Sequence, residues 1–84
     1  MKIIPDQTKS YTHASVALQE HGFEYEGGFY GERNAVGNRK KYQVYWHLKK
    51  EKYYYFVGMS NFNTQIYYIT MKPLPKPLGH YDRI

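Results

Sequence analysis

Basic and aromatic side chains alternate through residues 39–52, which read RKKYQVYWHLKKEK. This segment holds six of the twelve Lys and Arg residues of the chain and one acid, Glu51. Aromatic rings stack on unpaired bases, and neighbouring ammonium and guanidinium groups neutralise phosphates. The pattern is typical of a surface that binds single-stranded nucleic acid.

Hydrophobic periodicity predicts the elements that position these side chains. Apolar residues recur at spacings of three and four within residues 8–21, as in a helix, and Gly22 stands where a helix ends. After Gly22 the period becomes two, which is typical of strands. The predicted strands are 23–32, 40–49, 53–59 and 64–72, and the Pro-rich tail covers 73–84. We therefore expect one α+β domain, 1–84, with an N-terminal helix packed on a four-stranded antiparallel meander and an extended tail.

Strand alternation predicts that the helix covers the face that carries Trp46. Residue 46 is expected to pair with residue 55, because a slip of one residue would turn Lys and His side chains into the core. The apolar residues expected beside Trp46 are Phe23, Tyr25, Phe29, Tyr42, Val44, Leu48, Tyr53, Tyr55, Val57, Ile66 and Tyr68. The pair Gly27-Gly28 interrupts the first strand and predicts a bulge or a close backbone approach.

The opposite face of the sheet is predicted to be the working surface, because a bare aromatic face would form a large apolar patch and such patches mark contact sites. The residues expected to stack on bases or to contact phosphates there are Lys41, Tyr45, His47, Lys49, Lys50, Lys52, Tyr54, Phe56 and Tyr67. Glu24 and Glu26 place negative charge on this face. Three candidates could cover this face: the tail, through Leu74 and Leu78, another protein, or nucleic acid.

Two further functions remain open. A chain of 84 residues is short of core, which favours a homodimer or a protein-interaction or inhibitor module of the kind that mobile genetic elements encode. In addition, the run Gly79–Arg83 resembles the tails of some small RNA-cleaving bacterial toxins. That resemblance implies that His80 and Tyr81 take part in cleavage.

The sequence lacks the motifs of most enzymes and metalloproteins. The absence of cysteine excludes thiolate nucleophiles, thiolate metal ligands and disulfides, and suits a reducing cytoplasm. The four His residues have no metal-ligand spacing, and no apolar run is long enough to cross a membrane. We therefore expect a cytoplasmic, non-catalytic binding module without cofactor, metal or membrane partner.

Overall fold

In the part of the chain that the structure describes, six antiparallel strands form a single sheet with one short helix. The computed structural model describes residues 1–33, 35–63 and 65–84 (for residues 32 and 33, the backbone only). The elements are β1 (Lys2–Ile3), α1 (Ala14–Glu20), β2 (Phe23–Arg33), β3 (Arg39–His47), β4 (Lys52–Phe62), β5 (Gln65–Pro73), a 3-10 turn (Leu78–His80) and β6 (Asp82–Arg83). The strand order is β1-β5-β4-β3-β2-β6. The α+β class is confirmed, but the sheet has six strands rather than four.

The helix α1 begins later than the predicted residue 8. The carboxylate of Asp6 accepts hydrogen bonds from both the backbone N–H and the hydroxyl of Thr8, and the Lys9 N–H donates to the Asp6 carbonyl. These local bonds compete with helical ones and hold residues 6–9 in a turn. The end of the helix is as expected, because Gly22 adopts a φ of 84° and its N–H donates to the carbonyl of Gln19.

Two strands of two residues extend the sheet at its edges. At one edge β1 pairs with β5, and the N-terminal amino group donates to the carbonyl of Met71. At the other edge β6 pairs with β2, and the Ile84 N–H donates to the carbonyl of Gly28. The last residues of the tail, which was predicted as extended, therefore form an edge strand.

A bulge in β2 divides that strand between the two faces of the sheet. Before it, Tyr25 pairs with Tyr45; after it, Phe29 pairs with Tyr42. The register shifts between Tyr25 and Gly27, and Gly27 has a φ of 103°. The predicted bulge is confirmed, but the expectation that Tyr25 and Phe29 share a face is wrong, because the extra residue reverses the alternation.

The register between β3 and β4 differs from the prediction by two residues. Trp46 pairs with Tyr53 rather than with Tyr55, because the turn starts one residue earlier. The ring Nδ1 of His47 accepts the Lys50 N–H at 3.1 Å and the His47 carbonyl accepts the Glu51 N–H at 2.8 Å, which fixes that turn. A shift of two preserves the faces, so Val44, Trp46, Tyr53 and Tyr55 stay together as predicted.

The turn between β4 and β5 also lies later than predicted. Phe62 pairs with Gln65, and Asn63 adopts a φ of 55°, a left-handed conformation that Asn tolerates well. Residues 60–62, which composition marks as a turn, belong to β4. With the turn in this place, Phe56 pairs with Met71.

The core consists of two clusters, one on each face of the sheet. The first cluster joins α1 and the N-terminal segment to the sheet: Ile3, Tyr11, Ala17, Leu18, Phe23, Tyr45, Tyr54, Ile66, Ile69 and Met71. The second cluster, Phe29, Val44 and Tyr81, packs against tail residues Leu74 and Leu78. The helix thus covers the face predicted to be open, and the tail covers the face predicted to lie under the helix.

Candidate functional site

Three of the predicted binding residues belong to the core. Tyr45 and Tyr54 are each 5% exposed, and His47 is also buried. The expectation that they form an open platform is wrong because the helix packs on their face. Phe23, which the bulge brings to this face, lies edge-on to Tyr54 with ring centroids 5.7 Å apart.

The other predicted residues lie at four separate places. Lys49 and Lys50 are exposed in the turn after β3, and Lys52 is exposed at the start of β4. Phe56 is half-buried beside the first cluster, whereas Tyr67 is exposed near the end of the β4–β5 hairpin. Lys41 is exposed in the middle of β3. The structure therefore does not bring the predicted set together.

A groove of about 630 Å³ opens between α1 and the sheet, and we call it the helix–sheet groove. Residues 13–16 and Gln19 form its helical wall, while Phe23, Tyr45 and Phe56 line its sheet side. Because α1 begins only at Ala14, no earlier helical turn covers this part of the sheet. A largely apolar groove with a few polar groups is the usual form of a ligand site.

Tyr25 stands at the mouth of the helix–sheet groove. Its ring lies 5.3 Å from the ring of Tyr45, centroid to centroid, and its hydroxyl donates to Oε1 of Gln43 at 2.6 Å. Its side chain is 56% exposed although both neighbours hold it in place. Burial raises the pKa of the Tyr45 hydroxyl, and the nearby Tyr25 adds to this rise, so Tyr45 remains neutral at physiological pH.

Cationic side chains continue this surface along β3. Tyr30 of β2 pairs with Lys41, which places both on the face of Tyr25 and Gln43. The Lys41 ammonium lies 5.8 Å from the centroid of the Tyr30 ring, and the Arg39 guanidinium carbon lies 5.2 Å from it. Both distances permit cation–π attraction. We call Tyr30, Lys41 and Arg39 the cationic strip.

The helix–sheet groove and the cationic strip form one continuous surface. Gln43 bonds to Tyr25 at the groove, and Lys41 follows two residues along the same strand, a distance of about 6.6 Å. Glu24 also lines the groove and supplies an opposing negative charge. The surface therefore offers aromatic rings at one end and positive charge at the other.

Tyr25 and Tyr30 are functional candidates that the sequence argument missed. Tyr25 was expected in the core because its predicted face depended on an uninterrupted β2. The signal that could have identified it is Gly27-Gly28, since a bulge placed there moves Tyr25 to the opposite face from Phe29.

No metal centre or membrane-spanning helix is found within the ranges that the structure describes. Among the described residues, no group of three or more His, Cys, Asp and Glu side chains could hold a metal ion. The only α-helix in those ranges has seven residues, well below the length that a membrane requires. Of the two residues implied in RNA cleavage, His80 is exposed and Tyr81 is buried in the second cluster.

The chain was compared with protein-family models, with curated proteins and with solved structures. None of the three comparisons finds a significant match, so no function can be inferred from a relative.

Proposed function

We propose that this protein is a small, non-catalytic module that binds single-stranded nucleic acid through the helix–sheet groove and the cationic strip. The observation that carries the proposal is Tyr25, an exposed ring held against Tyr45 and Gln43 at the mouth of an apolar groove. A ring fixed in this way stacks on a base without losing much conformational freedom.

The groove binds bases, and the strip binds phosphates. A base enters beside Tyr25 and contacts Phe56, since both line the groove. The phosphates that follow lie over Lys41 and over the Arg39 guanidinium, which also forms an ion pair with the Asp82 carboxylate.

Fluorescence anisotropy with a labelled ten-nucleotide single strand tests this assignment. Tyr25→Ala is expected to weaken binding by about tenfold, because stacking on one aromatic ring contributes roughly 1–3 kcal/mol. Tyr67→Ala is the matched control, since Tyr67 is 53% exposed and lies outside the groove lining. Equal losses in the two variants, or no binding by the unaltered protein at about 50 mM salt, would refute the proposal.

Salt dependence separates phosphate contacts from stacking. Each phosphate that the protein neutralises adds roughly 0.7 to the steepness of log affinity against log salt for a single strand. Lys41→Gln is therefore expected to weaken binding and to flatten this slope, whereas Tyr25→Ala weakens binding and leaves the slope unchanged. If Lys41→Gln leaves the slope of log affinity against log salt unchanged, the cationic strip is not part of the interface.

Self-association is the second candidate function, and the end of the β4–β5 hairpin favours it. Met59, Phe62 and Tyr67 are exposed there, and the rings of Phe62 and Tyr67 lie 6.2 Å apart. A second copy could bury these side chains and add core to a small domain. Solution mass measured across a concentration series would show a dimer that Phe62→Ser dissociates, whereas a monomer at every concentration would exclude this candidate.

A further inference from the structure

A second cavity, of about 300 Å³, lies between the start of β3 and the Pro-rich tail. The cationic side chains Arg39 and Lys40 line it from the strand, and Lys76 lines it from the tail. The rings of Tyr42 and Tyr81 also line it, edge to face with centroids 6.2 Å apart. No acid occurs among the described residues that line this cavity.

The hydroxyl of Tyr81, a residue that lines this cavity, is buried and has no hydrogen-bond acceptor among the described groups. The residue is 9% exposed. Burial raises the pKa of this hydroxyl, while the backbone N–H of Lys76 approaches the oxygen and partly opposes the rise. A buried O–H without an acceptor is uncommon in folded proteins.

We propose that this cavity binds a phosphate group. Three cationic side chains match the double negative charge of a phosphate monoester, and the guanidinium of Arg39 offers paired N–H donors to its oxygens. The Tyr81 hydroxyl, which is closed to solvent in the unliganded protein, becomes a further donor once the side chains around it move apart. The volume also leaves room for part of the group that carries the phosphate.

Asp82 is the internal competitor for this ligand. Its carboxylate forms an ion pair with the Arg39 guanidinium, whose Nε also donates to the carbonyl of Gly31 at 3.3 Å. These two bonds hold Arg39 in place beside the cavity. Phosphate binding therefore either shares Arg39 with Asp82 or displaces that carboxylate, and Asp82→Asn is expected to strengthen the binding.

The second cavity shares Arg39 with the cationic strip but shares no lining residue with the helix–sheet groove, and its test has a different readout. The ¹⁵N-labelled protein is titrated with sodium phosphate at constant ionic strength and pH 7.5, and backbone amide shifts are followed. Saturable shifts are expected at Lys40, Lys76 and Tyr81. Lys40→Ala and Tyr81→Phe should each weaken binding at least fivefold, whereas Lys49→Ala, in the turn after β3, should bind as the unaltered protein does.

The same spectra show whether each variant is folded. Tyr81→Phe keeps the ring, so its spectrum and melting temperature should change little while its affinity for phosphate falls. Shifts that rise linearly with phosphate, shifts spread equally over the Lys residues of the turn after β3, or unaltered affinity in Tyr81→Phe would each overturn the site.

Two sources of the phosphate can be told apart in the same experiment. A dinucleotide with a 5′-phosphate should displace inorganic phosphate more effectively than its 5′-hydroxyl form if the cavity receives the end of a strand. Equal behaviour of the two dinucleotides, together with saturable binding of inorganic phosphate, would identify the free ion as the ligand.

Discussion

His47 is the buried titratable group whose contacts differ most from the expected ones. Its ring meets Phe23 edge-on at 4.6 Å and Tyr54 at 5.8 Å, centroid to centroid, and its Nδ1 accepts the Lys50 N–H. Burial lowers the pKa of His47, and the positive charges of Lys50 and Lys49 lower it further, against an opposing backbone hydrogen bond. The folded protein therefore favours the neutral ring.

Stability is expected to fall as the pH drops below about 6.5, the ordinary pKa of histidine. Below this pH His47 is protonated in the unfolded chain but stays neutral in the folded one. The loss of stability therefore grows until the pH reaches the pKa of His47 in the folded protein. Urea denaturation between pH 5 and 7.5 measures it. His47→Gln should remove most of the slope, and His21→Gln, at an exposed position, should retain it. Equal slopes in the two variants would contradict this assignment.

Removal of the negative charge of Glu24 is expected to strengthen binding of a single strand, whereas Tyr25→Ala is expected to weaken it. Glu24 lines the groove from its rim, because its pairing with Trp46 turns its side chain toward the other face of the sheet. Glu24→Gln should raise affinity for a single strand by about threefold at low salt, and the gain should shrink as salt screens the charge. Anisotropy titrations at two salt concentrations measure it. An unchanged or lower affinity would show that the phosphate backbone of the bound strand does not pass near Glu24.

Among the elements, β2 determines the arrangement of the site through its bulge. Gly27 has a φ of 103°, and nothing lies within 4 Å of the position that a Cβ would take. Gly27→Ala should therefore destabilise the protein by roughly 1–3 kcal/mol through backbone strain alone. Gly58→Ala is the control, because Gly58 also has open space but no positive φ, and it should be neutral or stabilising by about 0.5 kcal/mol. Chemical denaturation compares the two, and equal effects would contradict the bulge geometry.

Elements with several periods of alternation could be predicted from sequence, and shorter ones could not. Trp46 and Tyr53 were assigned to one face correctly because β3 and β4 alternate over many residues. In contrast, β1 and β6 have two residues each and carry no periodicity to detect. The start of α1 was missed because the competing turn at Asp6 depends on local hydrogen bonds that helical periodicity does not reveal.

At the scale of the whole molecule, the sheet is covered on both faces, by different parts of the chain. Alternation shows which side chains share a face but not which face receives the helix, because both faces of this sheet are rich in aromatic residues. For this reason the predicted platform of Tyr45 and Tyr54 proved to be core. The tail, expected as one possible cover of the face of Tyr45, instead closes the face of Val44.

Removal of the tail should therefore cost more stability than its composition suggests. A chain that ends at Pro73 loses Leu74, Leu78 and Tyr81 and exposes Phe29 and Val44. Each fully buried large apolar side chain contributes roughly 1.5–3 kcal/mol, so the loss should exceed about 3 kcal/mol, a large share of the stability of a small domain. Pro77→Ala, at an exposed position, should cost less than about 1 kcal/mol. Denaturation midpoints measure both, and a truncated chain of unchanged stability would contradict the two-cluster core.

Photo-crosslinking of a single strand that carries 5-iodouridine, followed by mass spectrometry of the peptides, tests the proposed groove most directly. Irradiation joins a base to an aromatic ring that it stacks on, so the account predicts adducts on Tyr25 or Phe56, which line the groove. Adducts confined to Phe62 and Tyr67 at the hairpin end, or adducts that persist equally in Tyr25→Ala, would contradict it.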